Sequence, residues 1–229
     1  VSETARAGVR RTKATSLLVV IAALLVLPLV NPSNPLSIQI LIWGMLAVSY
    51  NLLLGYTGLL SFGHAIFFGL GGYSSGLYLK HAQGGLWGGI GVGTLAALVG
   101  AVVVGWFCLR RRGVYFGMLT LAFGQMFFFL AYEFDWLTGG DDGLQGVPTP
   151  GLVVPGVSEP LSLVALRHPY NFYFLCLAIV IAVLLLQELL VRSPFGRALQ
   201  AIRESEERSL AVGYDTMKVQ WLAFVISGA

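Results

Sequence analysis

Apolar residues in this chain gather into long runs broken by short polar punctuation, and most of the runs exceed what a soluble helix or strand would bury. Stretches suited to crossing a hydrocarbon core lie at Ser16 to Val30, Leu36 to Leu54, Gly58 to Leu79, Leu86 to Leu109, Val114 to Tyr132 and Tyr170 to Val191, with a seventh beginning near Val219. The pattern predicts an all-α fold, a polytopic transmembrane helical bundle. The first run is short and follows Arg10, Arg11 and Lys13, as in a signal peptide, but no A-x-A-like cleavage site follows and "NPSNP" leads straight into the next run. A retained helix is expected there. The last run, "VQWLAFVISGA", would rise only about 16 Å as a helix, roughly half of a hydrocarbon core. With Val1 in place of Met at the start, residues 1–229 are expected to be a single membrane domain, incomplete at the C-terminus.

Composition agrees with the pattern: 56% of residues are hydrophobic and 11% charged, far from soluble averages. The net charge of +3 gives no reason to expect nucleic-acid binding, because in a membrane protein the placement of Lys and Arg matters more than their sum. Alternating the spans from a cytoplasmic N-terminus puts Arg6, Arg10, Arg11, Lys13, Arg110, Arg111, Arg112, Arg192, Arg197, Arg203, Arg208 and Lys218 inside, which is 12 of the 14 basic residues. Only Lys80 and Arg167 fall outside, as the positive-inside rule requires. The outside loop 133–169 is acidic (Glu133, Asp135, Asp141, Asp142, Glu159) and rich in Gly and Pro. It reads as a turn-rich lid or docking surface; "TGGDDGLQG" lacks the ligand spacing of a calcium loop, and no metal site is expected. Cys108 and Cys176 sit in apolar runs and are expected to be structural thiols, not a disulfide.

Lipid supplies no hydrophobic drive for helix association, so small residues that let backbones approach do much of that work. Gly89, Gly93, Ala97, Ala101 and Gly105 recur every four residues, and Ser61, Ala65, Gly69, Gly72 and Gly76 make a similar stripe one span earlier. Polar groups within the spans are few: Tyr50, Asn51, Ser61, His64, Thr120, Gln125 and Glu188. Such groups are candidates for a transport path, since an unpaired polar group in hydrocarbon is costly. Asn51 and His64 equally suit hydrogen bonds between helices around the "GYTG" turn, and Glu188 is set to pair with Arg192 four residues on. No carboxylate or Lys lies near the middle of a complete span, which argues against ion-gradient coupling.

One charged stretch remains, "RSPFGRALQAIRESEERSLAVGYD" at 192–215. Ser193 followed by Pro194 is an N-cap and first helical residue, and Gly213 is a natural stop. Between them Ala198, Ala201, Ile202, Ser205, Ser209 and Val212 share one small, mildly apolar face, flanked by Arg197, Glu204, Glu207 and Arg208, with Glu204 and Arg208 in i,i+4 register. A cytoplasmic helix or helix pair over 192–217 follows.

"EERSLAVG" resembles a degenerate EAA-x-x-x-G loop of ABC importer permeases, keeping Glu207 and Gly213 but carrying Arg208 and Ser209 where the alanines stand. With "NLLLGYTGLLSFGHAIFFGLGGY" at 51–73, "RGVYFGMLTLAFGQMFFFLAYEFDWLTGGDDGLQGVP" at 112–148 and "SPFGRALQAIRESEERSLAVGYD" at 193–215, nearly everything after the first span resembles the permease subunit of branched-chain amino acid ABC importers of the LivM type. The resemblance implies an inner-membrane protein of bacteria or archaea with no cofactor of its own. It also implies a second, related permease subunit, two ATPase subunits that bind ATP, and a soluble solute-binding protein outside. Arg203, Glu204, Glu207, Arg208, Ala211 and Gly213 would then couple to the ATPase, and the cargo would be leucine, isoleucine or valine. Phe67, Phe68 and Phe116 suit aliphatic cargo. Three rivals stand beside it: a urea or short-chain amide permease of similar architecture, an intramembrane enzyme built on His64, and a secondary carrier acting alone.

Overall fold

The computed structural model describes residue 24 and residues 34–82, 85–111, 113–148 and 169–229. The predicted first span at 16–30, apart from Leu24, and residues 149–168 of the outer loop lie outside the described residues, as do the basic residues at positions 6, 10, 11, 13, 112 and 167. Among the described residues the chain is helical and strand-free. Helix α1 (Asn34–Asn51) continues directly into a π-helical turn, Leu52–Thr57; α2 is Ala65–Ala82, α3 Leu86–Cys108 and α4 Val114–Glu133. A short α5 (Asp135–Thr138) and a 3₁₀ turn (Gly140–Asp142) open the outer loop. Then come α6 (Pro169–Arg192), α7 (Pro194–Glu204), α8 (Glu206–Ala211) and α9 (Thr216–Gly228). Four of these stretches are long and apolar enough to cross a membrane: Pro35–Thr57, Leu86–Cys108, Val114–Glu133 and Asn171–Arg192. The chain is a multi-pass membrane protein.

The third predicted span needs correction. Gly58 to Leu79 is not one helix: residues 58–64 are non-helical and α2 begins only at Ala65. Gly58 has φ +74°, which ends the π-turn, and Ser61 therefore cannot share a helical stripe with Ala65. Nor do Gly69 and Gly72 pack against a helix, since each has open space where a Cβ would stand. The face of α2 that meets α3 runs instead through Phe67, Leu70, Gly71, Ser75 and Leu79. On α3 a Cβ at Gly93 would come within 2.9 Å of the Gly71 carbonyl oxygen, and one at Gly100 within 2.4 Å of the Leu70 side chain. Gly89 lies against Leu79, and Gly105 against Phe224 of α9, while Ala97 and Ala101 are buried. Larger residues there would push the helices apart.

Packing divides the bundle into two parts. In the larger, Phe67 of α2, Ala101 and Val104 of α3, Phe116 of α4 and Phe224 of α9 form one core. In the smaller, Leu41 of α1 packs with Tyr173, Leu177 and Val180 of α6, and Gln187 Nε2 donates to the Val48 carbonyl at 3.0 Å. The two parts meet at one end, where Leu52 of the π-turn, Leu199 of α7 and Ala223 of α9 make a third cluster. At that end Arg110 stacks over Trp106, 4.7 Å from the ring centroid, and Glu188 pairs with Arg192 at 2.6 Å as its spacing predicts. Outward faces carry exposed Trp43, Leu95, Phe128 and Leu189, as lipid or a neighbouring subunit requires.

Candidate functional site

The divided packing leaves a cleft of about 620 Å³ between α1 and α6 on one side and α2, α3 and α9 on the other. This is within the roughly 300–1,000 Å³ typical of small-molecule pockets. Its walls are overwhelmingly apolar, with Met45, Leu46, Phe68, Ile90, Val183 and Leu186 among them. The polar exceptions are Ser75, Thr94 and Gln187, together with a buried knot formed by Ser49, His64 and Ser227.

The knot joins three segments that are far apart in sequence. The Ser227 hydroxyl donates to the Ser49 carbonyl at 2.7 Å, and the Ser49 hydroxyl donates to the Ser227 carbonyl. His64 Nε2 stands 3.2 Å from Ser49 Oγ and 3.3 Å from Ser227 Oγ. With both hydroxyl protons committed to carbonyls, the two oxygens have only lone pairs to offer, so Nε2 is the ring nitrogen that carries a proton. Nδ1 of the neutral ring is then an acceptor, and it is buried without a partner. Ser61 Oγ, three residues earlier on the same loop, is also buried and unpartnered. Leaving such a group unpaired costs about 1–3 kcal/mol, so this loop holds two exceptions to a rule that native structures rarely break. Tyr50 and Phe67 close on the imidazole, each with ring centroids at 5.5 Å.

Two serines around an imidazole invite comparison with a nucleophile and its base. The resemblance stops there, since no carboxylate or other group orients Nδ1 and both hydroxyls are spent on the main chain. Among the described residues no cluster of His, Cys, Asp or Glu suits a metal ion.

Of the seven polar residues singled out from the sequence, Glu188 pairs with Arg192 and the other six separate here. His64 lines the cleft, and Tyr50 packs against it. Ser61 is buried without a partner for its hydroxyl, and Thr120 makes a different contact: its Oγ1 donates to the Gly117 carbonyl at 2.8 Å and accepts from the Phe62 amide at 3.1 Å, stapling loop 58–64 to α4. The fit is close, because a Cβ at Gly63 would come 2.2 Å from the Thr120 carbonyl oxygen. Asn51 and Gln125 are exposed on outward faces, away from the cleft. Ser49, Gln187, Thr94 and Ser227 were missed. Their signal was a single hydroxyl or amide within an apolar run, and nothing in the spacing set it apart.

The charged stretch forms two helices. Ser193 caps α7, with its Oγ accepting from Gly196 N at 3.4 Å, and Ser205 caps α8, accepting from Arg208 N at 3.4 Å. The break at Ser205, with φ −162°, separates Glu204 from Arg208 and removes the helical i,i+4 pair expected between them. Helix α8 closes in a Schellman motif, Gly213 N to Leu210 O at 2.9 Å and Tyr214 N to Ser209 O at 3.0 Å, with Gly213 at φ +98°. Half of the predicted apolar face is consumed inside the chain, Ala198, Ile202 and Ser209 being buried, as is Leu199 against the π-turn, while Ala201 and Val212 are exposed. What remains open extends beyond that face: Glu204, Glu207, Arg208, Ala211 and Gly213 are exposed, together with Leu210, Val212 and Tyr214. Arg203 is exposed as well, but its Nη1 donates to the Gly55 carbonyl.

Asp215 caps α9, accepting from Lys218 N at 3.1 Å and pairing with Lys218 Nζ at 2.8 Å. The side-chain hydrogen bond from Lys218, with help from its amide, lowers the Asp215 carboxyl below its ordinary range. Thr216 Oγ1 donates to Glu206 Oε1 at 3.1 Å, fastening α8 to the start of α9.

Residues 35–229 match the family described as branched-chain amino acid transport system, permease component. The chain is 29% identical over 204 residues to the high-affinity branched-chain amino acid transport system permease protein LivM of Escherichia coli, covering 82% of this chain and 48% of the relative. It is 28% identical over 212 residues to LivM of Salmonella typhimurium, covering 86% and 50%. Against a probable branched-chain amino acid transport permease protein LivM of Methanocaldococcus jannaschii it is 27% identical over 229 residues, covering 83% and 63%. The chain spans about half the length of the two bacterial relatives. No solved structure matches it.

Proposed function

Because the chain belongs to the branched-chain amino acid transport permease family, we propose that residues 1–229 form one membrane domain of an ABC importer that carries leucine, isoleucine and valine across the inner membrane of a bacterium or archaeon. The chain makes and breaks no covalent bond. ATP is bound and hydrolysed in two partner subunits, a second related permease completes the path, and a soluble solute-binding protein delivers cargo from outside. The N-terminus and the 192–217 segment are cytoplasmic, in keeping with the charge asymmetry.

The cleft between the two packed parts carries this reading. Its apolar walls suit an aliphatic side chain, and Thr94 and Gln187 place polar groups among them for a charged backbone. Because the parts meet chiefly at the end where α7 packs, movement of α7 and α8 can tilt one against the other as rigid bodies. Glu204, Glu207, Arg208, Ala211 and Gly213 form the surface that seats in the ATPase, and Tyr214 stands beside them.

The test is reconstitution of the whole importer in vesicles with labelled leucine. Accumulation is expected only with the ATPase subunits and ATP present, and replacement of Glu207 and Arg208 by residues of opposite charge is expected to lower both uptake and cargo-stimulated ATP hydrolysis. Leucine accumulation by the permease without its ATPases, or chemical labelling of a Tyr214→Cys variant from the outside alone, would defeat the reading.

A further inference from the structure

Arg203 of the predicted coupling set is exposed, yet its guanidinium bonds back onto the chain through Nη1. Its guanidinium reaches the Gly55 carbonyl within the π-turn, one of the carbonyls left free where a helix ends. A cation at that end also meets the negative pole of the α1 dipole. Its aliphatic stem covers the next bend, since a Cβ on Gly58 would sit 3.2 Å from Arg203 Cγ. The turn it grips is closed tightly: the Leu53 carbonyl receives Gly58 N, Leu59 N at 3.3 Å and the Thr57 hydroxyl.

From this turn the chain runs without helix through residues 58–64 and ends at His64 in the cleft. The loop is held at several places, among them Arg203 at its start, the Thr120 hydroxyl on Phe62 N and a bond between Tyr50 and the Ser61 backbone in its middle, and the serine knot at its end. Between these holds it carries the two buried polar atoms without partners, Ser61 Oγ and His64 Nδ1. A π-turn, a left-handed glycine and two unpaired buried groups within thirteen residues describe a segment with a second seating open to it, in which those atoms find partners.

We propose that Arg203 is a positioning residue, an internal latch through which the cytoplasmic helix α7 holds loop 58–64, and with it His64, in the seating observed here. Displacement of α7 withdraws the guanidinium from Gly55 and frees the loop to reseat. The cytoplasmic end of the chain thereby reaches the cleft through bonded contacts, with no need for Arg203 to touch a partner. The proposal rests on α7 and α8 being where mechanical work enters, as set out above.

Diethyl pyrocarbonate labelling of the full-length protein in its native membrane reads the latch directly. His64 is buried and His81, exposed at the end of α2, is an internal reference in the same molecule. Labelling of His64 relative to His81, followed by peptide mass spectrometry, is expected to rise about tenfold in Arg203→Ala, the change that loss of a hydrogen bond from a charged donor supports. Arg197→Ala, which removes the same charge from an exposed position on α7, is expected to leave the ratio at its starting value. If Arg203→Ala does not accumulate, Gly58→Ala disturbs the same joint from the other side and is expected to raise the ratio likewise. An unchanged ratio in Arg203→Ala and Gly58→Ala, or an equal rise in Arg197→Ala, overturns the latch. Uptake assays on the same variants separate the two readings. A raised ratio with undiminished ATP-driven uptake keeps the latch and removes its role in coupling, whereas lost uptake with an unchanged ratio assigns Arg203 to the partner surface and overturns the proposal.

Discussion

Replacing Thr120 by Val separates a path residue from a structural staple. The side chain is fully buried, and its hydroxyl both donates to the Gly117 carbonyl and accepts from the Phe62 amide. Val has nearly the same shape and no acceptor. The Gly117 carbonyl loses little, because it lies in the first turn of α4 where the helix ladder also uses it, but the Phe62 amide is left without its partner. An amide stranded in this way costs about 1–3 kcal/mol. Taking about 2 kcal/mol, the population with loop 58–64 lifted from α4 rises about thirtyfold. Thr120→Ser keeps the hydroxyl and is expected to stay within a few fold of the original. Hydrogen exchange at the Phe62 amide measures this without reference to transport. If Val exchanges no faster than Thr, the hydroxyl does not hold the loop. If uptake of leucine then shows a raised half-saturation concentration with exchange unaltered, Thr120 contacts cargo and the staple is wrong.

Two further outcomes follow from the α8–α9 corner. Gly213→Val puts a β-branched residue at φ +98° and is expected to cost about 1–2 kcal/mol, visible as faster exchange at the Tyr214 amide and weaker ATP-driven uptake, while Gly213→Asn is expected to lose less. The Asp215 cap has a definite pH dependence. Its carboxyl is lowered in the folded chain, so the stabilisation is present above the ordinary carboxylate range and is lost as pH falls through the lowered value. Exchange at the Lys218 amide is expected to quicken on acidification, after correction for intrinsic rates, and Asp215→Ala is expected to be fast at every pH.

The sequence is most informative where lipid constrains it. Backbone groups in hydrocarbon must be satisfied within a helix, so the long apolar runs of α3, α4 and α6 mark their spans to within a few residues. The same rule hides loop 58–64. Its non-helical backbone is allowed where Ser61, Gly63 and His64 are buried in protein, and hydropathy does not distinguish these from exposed neighbours such as Leu60 and Phe62. Gly58 was the visible hint, but a glycine within a membrane helix is ordinary, and only its positive φ shows that the helix has stopped. The cap at Ser193 and the stop at Gly213 were readable because each answers a local need, an orphan amide or a left-handed residue, that only a few residue types meet.

The cleft is harder to read than the helices because its polar groups are inexpensive ones. A charged side chain in a span advertises itself by its cost, but a serine hydroxyl can return its proton to a nearby carbonyl and sit in any helix at little penalty. Ser49 and Ser227 do this across two segments, each answering the other's carbonyl, and only that reciprocity leaves their oxygens free to receive His64 Nε2. The arrangement is a property of three segments brought together, 178 positions apart at its widest, and no local pattern encodes it. It also explains why His64, readable as a polar residue in an apolar run, gave no indication of its partners. The amides Asn51 and Gln125 stand out in the sequence for their polarity, but both are exposed away from the cleft that the smaller hydroxyls line.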